Sequence, residues 1–571
     1  MCDVLFVIPS QHVNLRDDFQ GTLLLATILK QKGVSTCIHR FYEVDLEQSF
    51  DSFVRQTVAA ILEKQPKIVS FYCRCDCYLA NLLIAKGLKE ASPELKIVFG
   101  GPQAEASAVE TLKEISWVDF CCCGEGETTV FPLFSSLLNG TDHTQVPGLV
   151  YRDAVGTVRR NENAPMIEDL DTLPCIDYSF LPQDAIEYTV SNGKAASIEV
   201  GRGCPFNCAY CSSSLFWKRK FRLKSAQRIV REMQDMYEYA GVKKFVFQHD
   251  LFTVNKKKIL AFTNELEKTG IDFKWACSCR VDTLDQEAID AMARTGLRSV
   301  FIGVESGSEK MQKSMNKNLK IQDVLDTVAA MRKHDIKVKA SFIYALPEET
   351  EEDLEQSLQL AYQLHKMGVS SISFHLCVIF PGTEYYHRYA DNLVLSSTQS
   401  NIVGDFGFAE SQEFIQEHPN LFTFSYEYES ELRRKYAQLE GYVLYIFHLY
   451  DRLMEYCPEA LENKTFAQLA LEVMSLYEGG NGPGSVYQLA MDYTSRYLTD
   501  HEQKKLFSVF SYLDARAKAV ANNQFLVDFK SYPIHIQDVI DGKPLAEIRE
   551  QETMVCFKRD GNKVLSLVMP K

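Results

Sequence analysis

No stretch of this chain approaches the ~20 consecutive apolar residues that a membrane-spanning helix needs. Nor is there a cationic surplus to grip a nucleic acid: 61 Lys and Arg face 76 Asp and Glu, for a formal net charge of −15. These two deficits argue against a membrane span and against a basic nucleic-acid-binding face. The opening MCDVLFVIPS has neither a basic leader nor a small-residue cleavage site, and it reads as a first strand. Internal repeats and low-complexity tracts are also lacking. The chain does have length and apolar content: 571 residues, 46% hydrophobic, suit about three domains with sizeable cores.

Cysteine is plentiful, at 17 residues. Three of them, in GRGCPFNCAYC, carry the most information. Cys204, Cys208 and Cys211 are separated by three and then two residues, so one short loop presents three thiolates to a single inorganic centre. Thiolates suit iron–sulfur clusters and zinc. Zinc normally closes its shell with a fourth Cys or His at matched spacing, yet the next histidine downstream is His249. Three ligands on a 4Fe-4S cluster leave one iron open to bind a substrate or cofactor. Tyr210, before the last cysteine, is placed to pack against what binds there. A reduced cluster needs a reducing compartment, so the expected setting is the cytoplasm, with the cysteines as thiols.

Residues 1–140 alternate strand and helix, which implies a parallel sheet with helices on both faces. Ligands of such sheets lie beyond the carboxyl ends of the strands. The loops to watch are Ser10–Val13, Cys73–Cys77, Gly100–Ala104 and Gly124–Glu127. Residues 141–195 read as a hairpin (Gly148–Arg152 with Val158–Arg160) followed by a linker. Over 196–390 six β/α units suggest an incomplete (β/α)6 barrel, with chemistry at the strands' C-terminal ends. Residues 391–571 form a mostly helical cap, with helices expected at Glu429–Tyr456 and Phe466–Tyr477 and a closing hairpin turning at Asp560-Gly561.

The cysteine spacing, with an aromatic before the third Cys, resembles the radical S-adenosylmethionine (SAM) superfamily, and residues 196–390 carry further pieces of its barrel. Phe301-Ile-Gly-Val-Glu-Ser-Gly307 resembles the GxES motif, which implies that Gly303, Glu305 and Ser306 hold the ribose and amino group of SAM. Ala345-Leu-Pro-Glu-Glu-Thr350 resembles GLPGET near the adenine, with Ala345 and Glu348 in place of two glycines. Phe380-Pro-Gly-Thr383 resembles the PGT that follows the sixth strand, and Gln248-His-Asp-Leu-Phe252 sits where relatives carry D-D-x-F, with His249 replacing the first acid. Arg280, ending the third strand, suits either a partner of the SAM carboxylate or a solvated cation. The chemistry implied is chelation of SAM by the open iron, one-electron cleavage of the sulfonium, and hydrogen abstraction by a 5′-deoxyadenosyl radical.

The order of the domains, with Phe99-Gly-Gly-Pro-Gln103 and Gly124-Glu-Gly-Glu127, resembles the cobalamin-binding subclass, implying a corrin across Gly100, Gly101, Gly124 and Glu125. None of the 12 histidines has Asp two residues before it, so the D-x-H-x-x-G ligand of other cobalamin domains is missing. Cys73, Cys75, Cys77 and Cys121–Cys123 suit either a second metal site or small buried hydrophobes. Cys377, ending the sixth strand, suits either a hydrogen-atom donor or a core thiol.

The expected fold is α/β: a Rossmann-like, cobalamin-binding-like domain, the partial radical SAM barrel and the cap. The expected activity is a cobalamin-dependent methyltransferase acting on an unactivated carbon of a small molecule or peptide, served by an electron donor such as flavodoxin or ferredoxin. The alternatives are a radical SAM cyclase, epimerase or rearrangement enzyme without cobalamin, or a non-catalytic iron–sulfur redox protein. Nucleic acid and membrane are not expected partners.

Overall fold

The structure is a computed structural model that describes residues 2–10, 15, 20–42, 49–396, 411–456, 458–476, 493–494, 497–521, 529–541, 543–560 and 563–570. Most of the loop Ser10–Val13 and Gly561 of the closing turn lie outside the described residues. The first sheet is built from β1 (Val4–Ser10), β2 (Thr36–Tyr42), β3 (Ile68–Tyr72), β4 (Lys96–Gly100), β5 (Phe120–Cys122), β6 (Leu149–Arg152) and β7 (Val158–Arg160). Their order is β2-β1-β3-β4-β5-β6-β7, parallel through β5 and antiparallel beyond it. The apolar runs of β1, β3 and β4 are buried because helices cover both faces. The hairpin read as part of the bridge is instead built onto the edge of this sheet, which runs to Arg160 rather than stopping at residue 140. Arg152 anchors that edge, donating to the carbonyls of Leu112, Ile115 and Val118.

A crossover then leads to the second sheet. The short β9 (Gly201–Arg202) pairs with β10 (Arg222–Leu223) just after β8 (Ala196–Glu199). With β11 (Lys244–Gln248), β12 (Lys274–Cys279), β13 (Leu297–Glu305), β14 (Lys337–Tyr344) and β15 (Ser371–Leu376), β8 forms a six-stranded parallel sheet of order β15-β14-β13-β12-β11-β8. The two edge strands do not pair, so the barrel is open. Local chemistry sets where its helices begin. Ser225, Asn255, Asp285 and Thr350 each accept a hydrogen bond from a first-turn N–H. Trp275 is fully buried in its core, stacked on Phe247 at 5.1 Å.

The cap adds β16 (Leu393–Leu395) against β17 (Tyr426–Tyr428), several helices, and a sheet of β18 (Phe529–Tyr532), β19 (Thr553–Asp560) and β20 (Lys563–Pro570). The long helix expected over Glu429–Tyr456 is two, Glu431–Tyr436 and Leu439–Tyr456. The cause is Tyr344 at the end of β14. Its hydroxyl donates to the carbonyls of Tyr436 (3.2 Å) and Ala437 (3.3 Å) and accepts from the Glu440 N–H (3.2 Å), serving the backbone groups that the break frees. Among the described residues no helix is long and apolar enough to cross a membrane.

Candidate functional site

The cysteine loop follows β9. Gly203 starts it at φ +83, where a Cβ would come within 2.0 Å of the Lys220 carbonyl oxygen, so only glycine fits. Asp250 holds the loop from β11's end: its carboxylate accepts from the Gly203 N–H (3.0 Å) and from the Ser213 hydroxyl (2.6 Å). Ala209 is strapped on both sides, donating to Met315 O (2.9 Å) and accepting from Tyr385 N–H (3.1 Å). Cys204, Cys208 and Cys211 are half-buried free thiols, and among the described residues none of them donates to a backbone carbonyl. Burial, with repulsion from the neighbouring cysteines, pushes Cys204 up to about 11 and raises Cys211. A bound metal centre reverses that penalty and takes all three as thiolates. Among the described residues no three His, Cys, Asp or Glu side chains converge closely enough for a single ion. Three half-buried thiols on one short loop are a donor set that suits an iron–sulfur cluster.

Beside it, the ends of β13 and β14 form a second group. A register shift between Gly303 and Glu305 turns the Glu305 side chain inward, at φ +69. Its carboxylate accepts from Lys317 Nζ (2.8 Å) and from the Tyr210 hydroxyl (3.1 Å). A Cβ at Gly303 would lie 2.1 Å from the Glu305 carboxylate and 2.8 Å from Lys317 Nζ, so the glycine makes room for this pair. Ser306 is fully buried, its hydroxyl spent on Ser357 (3.0 Å) and the Ser308 N–H (3.1 Å). The Arg280 guanidinium lies over the Phe206 ring at 4.0 Å, is held by Asp282 and the Lys317 carbonyl, and reaches to 3.9 Å from Cys208 Sγ. It therefore stands by the cysteines as a fixed positive charge. Ala345 takes φ +56, the left-handed conformation that a glycine would adopt freely. Cys377 packs among Ala209, Met311, Met315, Leu346, Ile379 and Tyr385, and burial pushes its thiol up to about 12.

A cavity of about 850 Å³ separates the strand ends of the two sheets. Ser70, Gly100, Gly101, Cys122 and Gly124 line it from the first sheet, and Gly201, Arg202, Ser213, Trp217 and His249 from the barrel. A Cβ at Gly21 would meet nothing within 4 Å, and one at Gly100 only Cys122 Cβ at 4.0 Å. The absent side chains are what keep the cavity open. The acids of its walls are paired only in part, three carboxylates against two guanidinia. Arg202 bonds Glu125 (2.6 Å), Glu127 (2.5 Å) and Glu199 (2.5 Å), and Arg222 bonds Glu125 (2.8 Å), with both guanidinia near the Trp217 ring. Burial raises the Glu125 carboxyl, but the hydrogen bonds from Arg222 and Arg202 outweigh it and leave it below the usual range. The Glu125 carboxylate is thus occupied in a tie between the two sheets, through Arg202, which stands two residues before Cys204.

The other cysteine group behaves differently. Cys73, Cys77 and Cys121 are buried, and burial pushes all three thiols well up. Cys73 Sγ donates to Phe71 O (3.8 Å) and Cys77 Sγ to Tyr72 O (3.6 Å), with the Asn81 amide near both. Sequence reading did not single out Lys317, Arg222 or Trp217. Arg202 had a signal, its place before the first cysteine, whereas Lys317 had none.

Residues 198–361 match the family model described as the radical SAM superfamily. An uncharacterized methyltransferase of Pyrococcus horikoshii is 30% identical over 341 residues, 59% of this chain and 73% of that protein. The anaerobic magnesium-protoporphyrin IX monomethyl ester cyclase of Rubrivivax gelatinosus is 29% identical over 278 residues, 48% of this chain and 50% of the cyclase, so the match spans half of that protein. Two solved structures share the fold. The radical SAM methyltransferase TsrM from Kitasatospora setae, solved with cobalamin and a [4Fe-4S] cluster, superposes with a TM-score of 0.57 at 16% identity, covering 71% of this chain and 82% of that one. OxsB, a cobalamin-dependent SAM radical enzyme solved with aqua-cobalamin and SAM, gives 0.59 at 15% identity, covering 92% and 82%.

Proposed function

This chain belongs to the radical SAM superfamily, and from that membership we propose that it is a cobalamin-dependent methyltransferase acting on an unactivated carbon. The observation that carries the reading is the cavity of about 850 Å³ between the two sets of strand ends, with Arg202 and Ser212, which flank the three-cysteine loop, on its barrel side. When bound, a 4Fe-4S cluster supplies the electron that cleaves SAM, and a corrinoid supplies a methyl carrier.

Cys204, Cys208 and Cys211 hold the cluster, and Arg280 offsets the negative charge of the thiolates. Glu305 receives the SAM ammonium. Lys317, its partner at 2.8 Å, then carries a positive charge suited to the SAM carboxylate. Gly303 leaves room for both, and Ser306 braces the turn behind them. Tyr210 covers this group from the cysteine loop. Gly100, whose Cβ would meet nothing nearer than Cys122 at 4.0 Å, lets a flat macrocycle approach the strand ends, while Gly101 and Gly124 supply the positive φ of the turns beside it. Glu125 acts through Arg202, holding cysteine loop and cavity in register. A buried thiol at Cys377 serves as packing beneath Tyr210.

Such a cluster works in the reducing cytoplasm with a flavodoxin or ferredoxin as electron donor, on a small molecule or peptide. The half-length match to a cyclase favours one second reading, a radical SAM ring-forming reaction. Anaerobic reconstitution with iron and sulfide, with and without hydroxocobalamin, separates the two. The methyltransferase reading expects a retained corrinoid spectrum and, from methyl-labelled SAM, label passing to the corrinoid. The cyclase reading expects 5′-deoxyadenosine with no label transfer.

A further inference from the structure

The strands of the barrel turn alternate residues to opposite sides. Ile302, Phe342 and Phe374 are buried in the core shared with the surrounding helices, so Phe301, Gly303, Ser341, Ser373 and His375 face the lumen. Gly303, Ser341 and Ser373 form one row across β13, β14 and β15. The row starts beside the Glu305–Lys317 pair and ends two strand spacings on, about 10 Å away. The lumen is open along it: Phe301, the next lumen-facing residue of β13, is 45% exposed. At β15, the edge of the barrel, His375 lies between two partners. Its Nδ1 is 3.0 Å from a Glu440 carboxylate oxygen, and its Nε2 is 3.0 Å from the Ser373 hydroxyl. A carboxylate only accepts, so Nδ1 carries the hydrogen and Nε2 accepts from Ser373. Glu440 comes from the cap. It stands in the first turn of the helix Leu439–Tyr456, and the Tyr344 hydroxyl accepts from its N–H. The Glu440 carboxylate is buried, whereas the His375 side chain stays 22% exposed and Ser373 is half-buried. With its hydrogen spent on Nε2, the Ser373 oxygen offers the lumen only lone pairs. Behind it stands an imidazole–carboxylate pair, the arrangement that activates a hydroxyl.

We propose that Ser373, polarised by His375 and Glu440, is the substrate anchor of the barrel lumen. Such an oxygen takes a hydrogen-bond donor, so the substrate presents an O–H or N–H to it rather than a carboxylate or phosphate. The inference rests on the radical SAM reading above, because the anchored group must lie within reach of a radical formed beside Glu305. It is independent of whether the methyl carrier is a corrinoid.

The test tags that hydroxyl with toluenesulfonyl fluoride deuterated at its methyl group, on the full chain reconstituted with iron and sulfide. Ser373 Oγ attacks the sulfur, the S–F bond breaks, fluoride leaves and the hydroxyl proton passes to His375. Mass spectrometry should find the adduct on Ser373. Its formation should slow roughly a hundredfold in both His375→Asn and Glu440→Gln, with iron content unchanged. Given SAM and dithionite, the tagged chain should release 5′-deoxyadenosine carrying deuterium. The reductant supplies the electron that cleaves SAM, the radical takes deuterium from the tethered methyl group, and a benzylic radical stays on the tag. No adduct on Ser373, or one that forms equally fast in both variants, overturns the assignment alone. So does deuterium-free 5′-deoxyadenosine from the tagged chain. An untagged chain that forms no 5′-deoxyadenosine overturns the radical reading and this assignment together.

Discussion

Two groups of cysteines stand at the strand ends of two parallel sheets, and their surroundings differ. In the first sheet Cys73 and Cys77 donate to backbone carbonyls, and with Cys121 they are buried. In the barrel Cys204, Cys208 and Cys211 are half-buried, have no carbonyl acceptor and stand beside Arg280. The surroundings of the first group suit small hydrophobes, and those of the second suit metal ligands. The contrast teaches that cysteine count is uninformative by itself and that the partner of the thiol hydrogen distinguishes the two settings; a nearby arginine does not, since Arg74 stands beside Cys77 as Arg280 does beside Cys208.

The largest expected effect breaks the comparison outright. Cys204→Ala, Cys208→Ala or Cys211→Ala should each abolish bound iron and lower SAM cleavage roughly a thousandfold or more, about 4 kcal/mol of lost rate enhancement. Cys73→Ala and Cys121→Ala should keep iron and cleavage and cost only about 1 kcal/mol of stability. Iron analysis, 5′-deoxyadenosine assay and thermal melting read all three quantities, and iron loss in Cys73→Ala would erase the distinction.

The next effect concerns what joins the two sheets. Arg202→Met strips a buried cation from Glu125, Glu127 and Glu199, and should cost about 3–5 kcal/mol. Lys30→Ala, removing the exposed pair with Asp177, should cost below about 1 kcal/mol. Equal melting temperatures for the two variants would refute the inter-domain tie.

A smaller effect is pH-dependent. Burial holds the Glu349 carboxyl near 8, against an ordinary value of 4.5, and one of its oxygens has no partner. The folded chain therefore keeps a proton that the unfolded chain releases, and stability falls as pH rises between those values. Glu349→Gln should melt higher than the parent above about pH 8 and equal it below about pH 5. A constant difference across that range would contradict the assignment. Smallest of all, Ala345→Gly should stabilise the loop by about 1 kcal/mol at most, because φ +56 strains alanine and not glycine.

Much of the architecture was legible in the sequence. The buried apolar runs of β1, β3 and β11 through β15, spaced by helices with polar caps, read directly as parallel sheets. The cysteine spacing marked the loop, and Gly303–Glu305 marked its neighbour. Long-range pairing stayed hidden. Arg202 meets Glu125 across 77 positions, and no local period reports that. The hairpin's attachment to the first sheet and the helix break opposite Tyr344 likewise depend on distant partners. Lys317, between two asparagines, has nothing local to distinguish it.

The most direct measurement is SAM cleavage by anaerobically reconstituted full-length chain under reducing conditions, beside the Cys204/Cys208/Cys211 triple alanine variant. The expected result is stoichiometric iron and acid-labile sulfide with reductant-dependent 5′-deoxyadenosine in the parent, and none of these in the variant. Iron-free parent protein, or SAM cleavage that survives the triple replacement, would contradict it.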